Sequence, residues 1–394
     1  MRVLLAFDKF KDSLTAPRAC AAAAAVLRER HPTWTIEECP LADGGEGFAP
    51  ILTQTAGGTL HTATVTGPRG EAIAARFGLV PFARIPAPAR ALLQIENREP
   101  QTGSSHDFLA LVEMAAASGL DLLPPEQRDP WQTTTLGTGE LLRAAAARGA
   151  AAILLGVGGS ATNDLGLGAL NALSLVFLDA SGGEIHPPIP AHWAQIHRLA
   201  GQVPAGLPPI RIACDVTNPL LGPAGAAAVY GPQKGLRAAD LPRIENESAR
   251  LALLLCTHLR QPDTLMDTPG AGAAGGIAFG LMAGAGARLL PGLDLVAAWL
   301  DLDRRIAAAD LVITGEGRFD ESSLSGKGPG ALALRALQLG KPVHVFAGQI
   351  SPPAAPPKDL HLHAITPRGM PLAEALRTAP VLLKAAVAAT FSPR

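Results

Sequence analysis

Between Leu311 and Pro329 the chain reads LVITGEGRFDESSLSGKGP, an apolar run followed by Glu316, Arg318, Asp320, Ser322, Ser323, Ser325 and Lys327. Carboxylates can hold Mg²⁺, an arginine can clamp an anion through two parallel hydrogen bonds, and a lysine among glycines can approach phosphate. LADGGEGF sets Asp43 ahead of Gly44, Gly45 and Gly47. A carboxylate there stands beside bare backbone N–H groups and the positive end of a following helix. IACDVTNPL brings Asp215, Thr217 and Asn218 to another strand end, and GPQKG sets Lys234 between glycines. PGAGAAGG (269–276) is too rich in glycine for an ordinary helix and lets backbone approach a ligand closely. Each of these also has a plain reading as a turn or a helix cap.

The stretch ILLGVGGSATNDLGLGAL (153–170) admits three readings. Gly156 to Ala161 satisfies G-x-G-x-x-G/A after an apolar strand and before an expected helix, and Asp179 follows at the end of the next strand, where a ribose-binding acid would stand. That would make the chain an NAD-dependent oxidoreductase. A purely structural glycine turn is the second reading. A phosphate or substrate loop of another kind is the third, favoured by the mid-chain position and by the polar run Ser160, Thr162, Asn163 and Asp164. Other chemistries lack their motifs. Neither Gly326-Lys327 nor Gly340-Lys341 is followed by Ser or Thr, so there is no Walker A loop. The 10 histidines never form H-E-x-x-H, and G-x-S-x-G is absent. Strand-end carboxylates, lysines and glycine loops without a redox or nucleophile signature suit phosphoryl transfer, which needs charge neutralisation and in-line positioning.

The elements that must position these residues alternate. RVLLAF is a strand, a helix is expected from about Thr15 to Arg30, TIEECPLA returns as a strand, and a helix follows from Phe48 to Thr55. Such alternation predicts a parallel sheet with ligands at the carboxyl ends of its strands. From Thr62, TATVTGPRGEAIAARFGLV changes to a period of two around Gly67-Pro68-Arg69-Gly70, a hairpin, which marks a domain boundary near residue 61. Residues 84–106 read as an exposed loop; AAILLG, LSLVFLDASG and PIRIACDV read as strands. LVITGEG, VHVFAG and HLHAIT are strands near the end, with helices at about 328–339 and 372–389. The expected architecture is α/β. Both termini (1–60 and 290–394) form a Rossmann-like parallel-sheet domain, a second α/β domain (61–289) is inserted, and the active site lies in the cleft between them.

Composition fits this reading. The 394 residues carry a net charge of -1, which gives no pull towards nucleic acid or an acidic membrane. Cys20, Cys39, Cys214 and Cys256 have no metal or redox spacing and read as reduced. No apolar run approaches a membrane span, and the chain is expected in the cytoplasm.

LADGGEGF, EMAAASGL, TTTLGTGELL, GVGGSATND, ACDVTNPLLG, GPQKG, PGAGAAGG and ITGEGRFDESSLSGK, in this order, closely resemble the bacterial glycerate kinases of the glycerate 2-kinase family. DKFKDSL is similar to that family's N-terminal pattern, with Asp8, Lys11 and Ser13 in place. The resemblance implies ATP- and Mg²⁺-dependent phosphorylation of D-glycerate, most simply to 2-phosphoglycerate, with 3-phosphoglycerate as the other product. It implies Asp43 or Asp215 as the base, with Lys11 at the reacting phosphate. Gly158, Gly159, Ser160, Lys234, Gly275, Gly276 and Lys327 would face phosphates. Arg318, Asn163, Asp164 and Asn218 would hold glycerate, and Glu316 and Asp320 would hold Mg²⁺. A homodimer and a non-catalytic small-acid sensor are the further expectations to be weighed.

Overall fold

A computed structural model describes residues 1–42, 44–95, 108–321, 323–324, 328–351 and 357–392, and all counts and absences below refer to these described residues. Its strands are β1 (Arg2–Phe7), β2 (Thr35–Glu38), β3 (Thr59–Thr66), β4 (Ala72–Pro81), β5 (Phe108–Glu113), β6 (Ala150–Gly156), β7 (Val176–Leu178), β8 (Arg198–Ala200), β9 (Ile210–Ala213), β10 (Arg288–Leu290), β11 (Leu311–Phe319), β12 (Val343–Ile350) and β13 (Leu360–Ala364). The chain forms two compact units, Met1–Asp43 with Val296–Arg394, and Gly44–Leu295.

The first unit is built on a parallel sheet of order β13-β12-β11-β1-β2. β1 is buried on both faces after Arg2, which is why RVLLAF is continuously apolar rather than alternating. The helix Ala16–Arg30 starts with Pro17 in its first turn and buries Ala19, Cys20, Ala23, Ala24 and Leu27. Small side chains let it lie close to the helix Leu372–Thr390, whose Ala379, Leu383 and Val387 complete the core around Val3, Leu5, Phe7 and Phe346. The architecture is therefore the expected Rossmann-like sheet assembled from both termini.

The second unit contains a mixed sheet of order β10-β9-β6-β5-β4-β3. The expected hairpin is present: β3 and β4 pair antiparallel around Gly67–Gly70. β4 and β5 are also antiparallel, whereas β5, β6, β9 and β10 run parallel. Leu141, Leu155, Ile212, Phe77 and Ile277 meet in its core.

Four expectations need correction. β5 was not foreseen, because a short apolar run without alternation carries no strand-specific signal. LSLVFLDASG contributes only β7, which pairs with β8 in a separate two-stranded sheet. Residues 87–92 form a short helix, and Ala89 and Leu93 are buried. The exposed loop expected there is thus partly folded, anchored by the buried Arg211 guanidinium donating to the carbonyls of Leu93 and Gln94 at 2.8 Å each; residues 96–107 lie outside the described set. Finally, β11 continues to Phe319, two residues past the expected LVITGEG, so Arg318 also stands within the strand rather than beyond it.

Candidate active site

In the second unit the chemistry gathers at the carboxyl ends of β5, β6 and β9. Gly44–Gly47 leads into the helix Phe48–Thr55, and this loop interlocks with the one after β6. The Gly158 N–H donates to the Gly44 carbonyl at 3.0 Å. A Cβ on Gly158 would sit 2.7 Å from Gly45 Cα, and one on Gly156 would sit 2.5 Å from the Gly44 carbonyl oxygen. These glycines are required by backbone-to-backbone packing.

Glu113, the last residue of β5, is buried and accepts a hydrogen bond from the Ala49 N–H at 3.0 Å, which fixes the first turn of that helix. Sequence reasoning gave Glu113 no role. An acid ending an apolar strand, just before a run of small residues, was the available signal.

The loop from Gly158 to Asp164 is held from several sides. Gly159 has φ 72°, its carbonyl accepts from the Leu120 N–H, and the Ala161 N–H donates to the Ser118 carbonyl. Asp164 is fully buried, and its carboxylate accepts from the Thr135 N–H and hydroxyl, both at 2.8 Å, and from the N–H groups of Gly166 and Gly168. Burial pushes its acidity towards the protonated form, and these hydrogen bonds pull it back.

Lys234, only 1% exposed, donates to Ser160 Oγ at 2.8 Å and to the Thr162 carbonyl at 2.6 Å. Burial pushes its ammonium down to about 7, with Asp164 pulling it back up. The Thr162 hydroxyl and both amide ends of Asn163 are buried without a hydrogen-bond partner. Ala274, Gly275 and Gly276 take positive φ of 54°, 75° and 90° and press on this loop. A Cβ on Gly275 would lie 2.1 Å from the Thr162 carbonyl oxygen, and Gly275 in turn accepts from the Leu165 N–H. The glycine-rich segment is indeed no ordinary helix.

The third strand end carries Asp215, an exposed residue whose two carboxylate oxygens both lie 3.0 Å from the Leu293 N–H. Asn218 is used inside its own loop, donating to the Ala224 carbonyl and accepting from the Tyr230 hydroxyl.

In the first unit, Asp8 directly follows β1, and its N–H donates to the Gly315 carbonyl of β11. Lys11 is exposed in the turn that follows, where Ser13 Oγ donates to the Leu376 carbonyl. Glu316 and Arg318 share one face of β11 by its two-residue period. Arg318 is exposed and ion-pairs with Asp320 at 3.2 Å. Asp43, Ser322, Ser325 and Lys327 lie outside the described residues. Among the described residues, no group of three or more His, Cys, Asp or Glu side chains converges on a metal position. No described helix is long and apolar enough to cross a membrane.

The features of a dinucleotide site do not assemble. The helix expected directly after the glycines starts only at Leu167, six residues past Ala161. Asp179 is half-buried, and its carboxylate closes its own turn on Ser181 and Gly183.

Comparison with known proteins agrees with this geometry. The profile of the Glycerate kinase family matches residues 3–392. Glycerate 2-kinase of Escherichia coli (strain K12) is 39% identical over 357 residues, covering 89% of this chain and 86% of that protein. Glycerate kinase of Bacillus subtilis (strain 168) is 39% identical with the same coverage. The crystal structure of a candidate glycerate kinase 2 from Salmonella typhimurium LT2 is similar with a TM-score of 0.73 at 36% identity, over 99% of this chain and 97% of that one. With a match running from β1 to the end of the last helix, the chain belongs to the glycerate kinase family.

Proposed function

We propose that this phosphotransferase moves the γ-phosphoryl group of ATP onto D-glycerate and releases 2-phosphoglycerate by direct in-line transfer. The observation that carries this reading is the family match over residues 3–392, joined by a relative named glycerate 2-kinase across 89% of the chain. Asp43 is the base that accepts the substrate hydroxyl proton, with Asp215 as its alternative. Lys11 and Lys327 neutralise phosphate oxygens. Arg318 holds the glycerate carboxylate, for which its exposed guanidinium is suited once it leaves Asp320. Gly158, Gly159, Gly275 and Gly276 admit the phosphates, and Asn163 contacts glycerate. Asp164, whose carboxylate is taken up by Thr135, Gly166 and Gly168, and Asn218, whose amide is engaged within its own loop, shape the site around it.

Mg²⁺ takes one or two carboxylates and completes its shell with phosphate oxygens and water, so a larger protein cage is not required. Glu316 and Asp320, hard oxygen donors four residues apart at the end of β11, fit that demand and would hold it. Bound there, the ion would screen charge between the phosphate groups.

Lys11, Glu316, Arg318 and Asp320 come from one compact unit, and Gly158, Ser160, Asn163 and Asp215 from the other. A cytoplasmic location and a homodimer are part of the proposal.

The test is to mix protein, D-glycerate, ATP and Mg²⁺, follow ADP release, and identify the product by phosphorus NMR. Turnover to the 3-isomer would overturn the regiochemistry alone, and no ADP above a glycerate-free control would overturn the reading. Within it, Asp43→Asn should lower kcat by at least ~10²; an unchanged kcat moves the base to Asp215.

A further inference from the structure

We infer that Lys234 is a positioning residue for Ser160. By donating to Ser160 Oγ it turns the serine hydroxyl into an obligate donor to an anionic oxygen of a bound substrate. The inference rests on the kinase reading above and deepens it.

A serine hydroxyl has one proton and two lone pairs, whereas a lysine ammonium only donates. The 2.8 Å contact from Lys234 Nζ therefore occupies a lone pair of Ser160 Oγ and leaves its proton for another acceptor. An adjacent positive charge also polarises the O–H bond, strengthening its hydrogen bond to an anion. Lys234 is itself buried and tied to the Thr162 carbonyl, so it cannot swing out to meet a ligand without breaking both contacts. Ser160 follows the exposed Gly159, where the loop reaches the surface.

A second observation points to a ligand on the same loop. Asp164, Thr135, Ser118 and Thr138 nearby have their hydrogen bonds made. By contrast, the Thr162 hydroxyl and both amide ends of Asn163, two and three residues after Ser160, are buried without partners among the described residues. Native proteins rarely leave such groups unpaired unless a ligand or water completes them.

The acceptor is an anionic oxygen, either of an ATP phosphate or of the glycerate carboxylate, and a mutant cycle distinguishes them. KM for each substrate and kcat are measured for wild type, Ser160→Ala, Lys234→Met and the double variant. Each single change should raise one KM about tenfold, with the double variant no worse than the worse single. A rise in the ATP KM identifies phosphate, and a rise in the glycerate KM identifies carboxylate. Additive effects, or an unchanged KM in Ser160→Ala, would overturn the inference.

The pH profile separates this role from a structural one. Burial pushes the Lys234 ammonium down to about 7, and Asp164 is the charged side chain that pulls it back up. The affected KM should climb above that pH in the wild type and stay flat in Ser160→Ala. This comparison also decides the matter should Lys234→Met fail to fold. An absence of turnover in the wild type would count against the kinase reading itself, and the same cycle read as ATP and D-glycerate affinity by calorimetry then tests the inference.

Discussion

Asp164 and Lys234 carry opposite charges into one loop, and neither reaches solvent. Lys234 was expected at a phosphate from its setting between glycines, and Asp164 at glycerate from the family resemblance. In the fold, Asp164 accepts from Thr135, Gly166 and Gly168, and Lys234 donates to Ser160 and Thr162. Removing one member of such a pair strands the other charge and several backbone donors. Asp164→Ala should therefore cost about 3 kcal/mol or more in urea unfolding. A loss under about 1 kcal/mol would mean that water replaces the carboxylate. Sequence could identify these polar residues as special but could not say which point inward, because a loop has no periodicity from which to read a face.

At the scale of elements, the glycines after β6 and those before the helix Phe48–Thr55 explain one another. Gly158 is glycine because Gly45 lies against it, a relation between segments more than a hundred residues apart. Gly158→Ala would drive a methyl group into backbone that cannot rotate away. It should destabilise by about 1–3 kcal/mol and also lower kcat, since the displaced segment follows Asp43. Thermal unfolding and steady-state rates check this, and an alanine variant with wild-type melting temperature and kcat would refute it. The three strand-end loops were legible as G-rich and polar. Their interlocking was not, and for that reason the fingerprint at Gly156–Ala161 could be read as a dinucleotide turn. Glu113 escaped notice for the same cause: its value lies in meeting Ala49, which no local pattern announces.

For the whole molecule, acid stability should depend in part on the edge of the first unit's sheet. His344 on β12 faces His361 and His363 on β13, with His344 Nδ1 and His363 Nε2 2.9 Å apart and Phe391 packed beside them. Burial, then the two neighbouring imidazoles, pushes His344 down to about 4, and His363 is lowered as well, by burial first. The folded state thus binds protons later than the unfolded chain. Stability from the neutral rings is fully present above the ordinary histidine value of about 6.5 and is lost as pH falls from there towards 4. Allowing for the partial exposure of His344, the loss should be on the order of 2 kcal/mol. Melting temperature measured between pH 4 and 7 should slope less in His344→Leu than in the wild type; parallel slopes would assign the acid sensitivity elsewhere.

The sequence by itself determined the α/β class, the pairing of N- and C-terminal strands into one sheet, the hairpin, and membership of the glycerate kinase family. These follow from short-range patterns: buried parallel strands are uniformly apolar, turns need glycine, and ordered motifs survive in a linear string. Only the tertiary structure decided that β5 joins β4 to β6, that β7 leaves the main sheet, and that Arg318 stands inside β11. It alone showed Asp164 and Lys234 to be buried. Burial and hydrogen-bond partnership are properties of pairs distant along the chain, and the chemistry of a polar side chain is fixed by those pairs.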